Sequence, residues 1–133
     1  MKVALFTYLC AVLAFVVIDG LWLGLVARSF YADALGDLLR KSPLLAPAAA
    51  FYLCYVAGLV FLAVRPQEAD VTLASVACYG AVVGFLAYGT YDMTNWSTLK
   101  DWPVLLSVVD VIWGTILSAS VAVIARLASL SFS

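Results

Sequence analysis

The sequence predicts an all-α protein embedded in a membrane: a four-helix bundle crossing the bilayer, with a short interfacial helix after the first span. Three observations carry that prediction. Of 133 residues, 66% are hydrophobic and only 11% are charged, against roughly 25% charged in ordinary soluble domains. The mean hydropathy is +1.10. The apolar residues also gather into four runs, at about residues 3–27, 44–64, 71–93 and 102–127, each near the ~20 residues a helix needs to cross the hydrocarbon. Little sequence is left over, so residues 1–133 read as a single transmembrane domain.

Composition also excludes several functions. A net charge of −1 provides no basic field for nucleic acid and no polybasic lipid anchor. The absence of histidine removes haem ligation by His and most zinc designs. Cys10, Cys54 and Cys78 fall one to a span without Cys-x-x-Cys spacing. They read as small buried apolar residues rather than a disulfide framework.

The first run begins after Lys2, as a secretory signal would, but it continues through Leu21, Trp22, Leu23, Gly24, Leu25 and Val26 without a cleavage pattern. That is too long for a signal core, and a retained helix is expected. Gly20 and Gly24 form a Gly-x-x-x-Gly pair that predicts close approach of a neighbouring helix. In the connection that follows, Phe30, Tyr31, Ala34, Leu35, Leu38 and Leu39 recur at helical spacing among Asp33, Asp37, Arg40 and Lys41. This pattern predicts an amphipathic helix lying at the interface.

The second span opens with Pro47 in its first turn, where a missing N–H costs little. It is slim, with Tyr52 and Tyr55 as its polar marks. A short charged turn makes the third span its antiparallel neighbour. On the third span, Gly80, Gly84, Tyr88 and Asp92 are spaced four apart and share one face. Thr94, Asn95 and Ser97 follow, and their side chains compete for backbone hydrogen bonds, so a break or tightening of the helix is expected there. Trp96 and Trp102 read as interface-belt residues. After Trp102 and Pro103 the last span carries Ser107, Asp110, Gly114 and Ser118 on one face.

Chemistry concentrates in the acids. Counting about 1.5 Å per residue from each span's centre places Asp19 about 6 Å and Asp110 about 7 Å from the midplane. The two helices are antiparallel, so both acids lie on the same side, with Asp92 nearer the boundary. Asp19 with Trp22 and Asp110 with Trp113 repeat an Asp-x-x-Trp pattern. An acid within a span costs on the order of 2.5–3.5 kcal/mol, so it faces protein, pairs, or performs a function. Ion pairs with Arg28 or Lys100, or protonation with interhelical hydrogen bonds, are the structural alternatives to a functional site. The candidate ligand or ion site therefore comprises Asp19, Asp110, Asp92, Tyr88, Asn95, Trp22 and Trp113. No nucleophile stands beside a base, no phosphate loop appears, and neither a metal set nor a cofactor is expected.

The stretches Ile18–Gly24, Phe51–Val56, Tyr88–Asn95, Thr98–Pro103 and Val109–Gly114 resemble the landmarks of one uncharacterised bacterial family of small four-span membrane proteins. The resemblance covers essentially the whole chain. It implies the four-span fold and a multi-pass location in the bacterial inner membrane, and it implies no activity.

Three functions suit these features. The first is a proton- or cation-linked small transporter or permeation unit for a small cationic or amphiphilic ligand, which would need a homodimer to enclose a path. The second is a lipid-linked membrane enzyme or its accessory subunit. The third is an assembly subunit using the glycine faces. Lys2, Arg65 and Arg126 mark one side, and Arg28, Arg40, Lys41 and Lys100 the other. That balance sets no orientation under the positive-inside rule.

Overall fold

The computed structural model describes residues 1–66 and 68–132. Among them the chain is all helix and turn, and four helical stretches are long and apolar enough to cross a membrane: Lys2–Val26, Leu45–Val64, Leu73–Thr98 and Val104–Phe132. The protein is a multi-pass membrane helical bundle. We number its helices α1 (Lys2–Leu21), α2 (Arg28–Leu35), α3 (Leu45–Leu59), α4 (Leu73–Thr98) and α5 (Val104–Phe132). α1 runs on through a π-helical turn at Trp22–Val26, and α3 through another at Val60–Val64. α2 is the short interfacial helix and ends in a 3₁₀ turn whose first residue, Gly36, has φ +50°.

α4 and α5 form the most extensive interface, with α1 packed on the other side of α5. Small residues make the first contact possible: a Cβ at Gly84 would strike the Gly114 carbonyl and the Ser118 side chain, and one at Gly114 would overlap the Tyr88 ring. Without a hydrophobic drive between helices in lipid, such close backbone approach supplies much of the association. The expected Gly80–Gly84 ridge is therefore a real seam. Gly20 and Gly24 are not: a Cβ on either would meet nothing within 4 Å. The Gly-x-x-x-Gly spacing was ambiguous because it marks a face without saying whether that face is occupied.

The apolar core lies at one end of the bundle. Ala11 and Phe15 of α1, Val56, Leu59, Ala63 and Val64 of the α3 span, Val76 of α4, and Leu117, Val121 and Ala125 of α5 are buried together. Arg126 closes that end. It is 2% exposed, and its guanidinium donates to the carbonyls of Arg65, Glu68, Ala69 and Val71 at 2.9–3.4 Å. α4 meets the α3 span chiefly along Val60–Val64. Toward the opposite end the two helices part, and that opening is where the polar residues lie.

Three further expectations are corrected. α4 does not break at 94–97 but continues to Thr98, because Thr90, Ser97 and Thr98 turn their hydroxyls back onto carbonyls four residues earlier. Trp102 is buried, donating to Ser107 Oγ at 2.8 Å, whereas Trp96 is exposed as expected of a belt residue. Cys54 and Cys78 face outward rather than inward.

Candidate functional site

Asp19 sits in the last turn of α1, one turn beyond Phe15, and is 4% exposed. Both of its oxygens accept hydrogen bonds, each from a different helix. Tyr52 of α3 donates to Oδ2 at 2.8 Å, and the Trp113 indole of α5 donates to Oδ1 at 3.0 Å. Asp110, one turn before Trp113 on α5, accepts from the Tyr31 hydroxyl of α2 at 2.6 Å. Tyr31 in turn accepts from the Trp22 indole at 3.3 Å.

The two Asp-x-x-Trp pairs are thus crossed. The Trp113 N–H serves the acid of α1, and the Trp22 N–H serves the acid of α5 through Tyr31. The indoles themselves stack, 4.2 Å between centroids and 10° from parallel. The π-helical turn that begins at Trp22 lies immediately beyond Asp19. Such turns insert an extra residue into a helix and are frequent at functional sites.

Asp19 and Asp110 both line one cavity of about 370 Å³. Phe15, Tyr52, Tyr55, Tyr88 and Trp113 supply its aromatic wall. Tyr55 is held by Ser118 at 2.7 Å, and Phe15 packs edge-on against Tyr52 with centroids 4.9 Å apart. Leu23, Phe51 and Tyr91, all exposed, stand at the mouth. With α3 and α4 parted at this level, the cavity opens past these exposed side chains.

Among the described residues no lysine or arginine lines the cavity. Among the described residues the ion pair is Arg65 with Glu68, at the far end, so neither Arg28 nor Lys100 neutralises an intramembrane acid. The interhelical hydrogen-bond alternative fits better, with tyrosine and tryptophan as the donors. Outside the spans, burial and the bond to Asp110 push the Tyr31 phenol well above its ordinary range. It therefore stays a neutral donor.

Of the other expected site residues, Tyr88 lines the cavity and Trp22 backs it through its stack on Trp113. Asp92 lies outside the lining, fully buried beside Asp110 and Ser107. Asn95 also lies outside the lining, one turn further along α4 near the Tyr91 hydroxyl. No three acidic, cysteine or histidine side chains gather to hold a metal among the described residues.

Sequence reasoning named the tryptophan donors and missed the tyrosine ones. Tyr52 and Tyr55 were visible as polar marks on a slim helix, and Phe15 stands four residues before Asp19. Tyr31 carried no such signal, since it reads as part of the apolar face of an interfacial helix.

A family model described as "Predicted membrane protein (DUF2177)" matches residues 4–127. Comparison with curated proteins and with solved structures finds no match.

Proposed function

The chain belongs to this family of predicted membrane proteins, and from that premise we propose that it binds and passes small organic cations or cationic amphiphiles in the bacterial cytoplasmic membrane. The cation is held by Asp19 and Asp110 and exchanged against a proton. One observation carries the reading: two carboxyl groups open on a single aromatic-walled cavity that no basic side chain enters. A positive ligand is what such a cavity lacks. Charge would be matched by the acids, and the π faces of Tyr52, Tyr55, Tyr88 and Trp113 would add about 0.5–2 kcal/mol each where a cation lies over them in a desolvated site. Intramembrane acids of this kind commonly mark substrate and proton paths.

The mouth between α3 and α4 selects among such ligands. Phe51 and Tyr91 border it on the lipid side, which favours an amphiphile arriving from within the bilayer. The same mouth supports a second reading, a lipid-linked role in which a headgroup occupies the cavity as the target of an associated enzyme. A complete path across the bilayer exceeds what one chain encloses, so the transporting unit is taken to be a homodimer. Near-equal numbers of cationic residues on the two sides would suit antiparallel copies.

The test is titration of the purified protein in detergent with tetraphenylphosphonium, followed by quenching of the indole fluorescence. Saturable binding is expected. Asp19→Asn and Asp110→Asn should each weaken it at least about tenfold, or ~1.4 kcal/mol. Equal affinity in all three proteins would end the reading, and a lipid headgroup found in the cavity of the purified protein would shift it to the lipid-linked role.

A further inference from the structure

Asp92 has the least comfortable surroundings of any acid in the chain. It is 0% exposed, lies inside a membrane span, and neither carboxyl oxygen has a hydrogen-bond donor. An ionised carboxylate there would be prohibitively costly, and such groups take a proton or a cation instead. The carboxyl of Asp110 on α5 lies against it. Two acceptors face each other with nothing between them to donate. The other polar groups nearby are already engaged. On the boundary side, Trp102 is buried and spends its N–H on Ser107 Oγ; the Ser107 hydroxyl stands beside the Asp92 carboxyl but leans on the Asp92 backbone carbonyl at 3.4 Å. On α4 itself Tyr91 and Asn95 lie against each other. On α2, Tyr31 points at Asp110 Oδ1, and across the cavity Asp19 is occupied by Tyr52 and Trp113. No lysine or arginine forms an ion pair with any of these acids among the described residues.

We infer that Asp92 and Asp110 share one proton, and that this is the proton displaced when a cation enters the cavity. The proton supplies the missing donor: an O–H on Asp92 points at the Asp110 oxygen that Tyr31 leaves free. Asp92 is thereby a storage site behind the cavity wall, and Asp110, which reaches both, is the exchange point. A cation entering from the cavity side takes over the counter-charge that the proton supplied to the Asp92–Asp110 pair, and the shared proton departs to water. The charge of the buried cluster is conserved in the exchange. The storage half stands on the geometry of Asp92 alone, and the displacement half rests on the cation reading above.

Infrared spectroscopy of the ligand-free protein at neutral pH separates the two halves. The protein should show the C=O stretch of a protonated carboxyl, which disappears in Asp92→Asn and is untouched in Asp19→Asn. In Asp110→Asn the band should persist at a shifted frequency, because the proton keeps a carbonyl to bond to. That variant also serves if Asp92→Asn fails to fold. Tetraphenylphosphonium should extinguish the band in the wild type and release one proton for each cation bound. Absence of the band, its survival in Asp92→Asn, or its loss on adding sodium chloride alone would overturn the shared proton. Cation binding that leaves the band intact would overturn the displacement. A band that behaves as stated, in a protein that binds no cation at all, would refute the cation reading and leave the stored proton standing.

Discussion

Asp19 ties three helices together, and replacing it distinguishes that role from the role of its charge. In Asp19→Leu, the Tyr52 hydroxyl and the Trp113 indole both lose their acceptor. Interhelical hydrogen bonds in membranes average about 0.6 kcal/mol and reach about 1.7, so the loss of two predicts destabilisation of roughly 1–3 kcal/mol. The cost of holding an acid in hydrocarbon does not reverse this sign. With its helices separated in lipid, the wild type exposes Asp19 and the variant exposes only leucine, so substitution also relieves the dissociated state and weakens association further. Asp19→Asn behaves differently. Its amide oxygen can face Trp113, which only donates, and its NH₂ can face Tyr52, whose hydroxyl turns to accept. Both bonds survive and the change should stay under about 1 kcal/mol. The assay is reversible unfolding in mixed micelles of increasing sodium dodecyl sulfate, followed by tryptophan fluorescence. A leucine variant as stable as the wild type would refute the claim that these bonds join α1 to α3 and α5. An asparagine variant as unstable as leucine would show that charge, not geometry, does the joining.

Two other outcomes are expected. Gly114→Ala places a methyl group in the Tyr88 ring; overpacking of this kind costs about 1–3 kcal/mol, read in the same unfolding assay, and the displaced ring should also lower tetraphenylphosphonium affinity. Tyr31 stays protonated through the alkaline range because burial and Asp110 hold its phenol up. A group raised in the folded state contributes stability that is complete below its unfolded value of about 10 and is lost as pH rises beyond it, so Tyr31→Phe should flatten the alkaline fall in stability, and an unchanged pH profile would contradict that account.

The fold was legible because the bilayer writes its thickness into the sequence as four apolar runs. Rise per residue and antiparallel order also put Asp19 and Asp110 at a common height along the bundle without knowledge of packing, and both line one cavity. What could not be read was rotation. In lipid the outward residues are as apolar as the inward ones, so Leu9 or Phe85, both exposed, look no different from Leu117 or Phe15, both buried. Gly20 and Gly24 misled for that reason, while Gly80 and Gly84 were helped by continuing into Tyr88 and Asp92. The tyrosine donors were hidden by the same ambiguity: pairing Tyr52 with Asp19 requires knowing that α3 lies against α1. Trp102 looked like an interface residue because its place in the chain, just ahead of a span, is where such residues occur. Its burial follows from the Ser107 hydroxyl five residues on, an acceptor no hydropathy pattern announces.

The exchange of indoles between α1 and α5 has a mechanical consequence. Because each helix carries the partner that the other's acid needs, sliding one past the other by a single residue, about 1.5 Å, would misalign both fastenings together and unseat the ring stack between them. The two helices are indexed like a plug with two pins, where a near fit engages neither. Small thermal shear between α1 and α5 is therefore resisted at two points joined by one stack, and the pair holds its alignment as a unit.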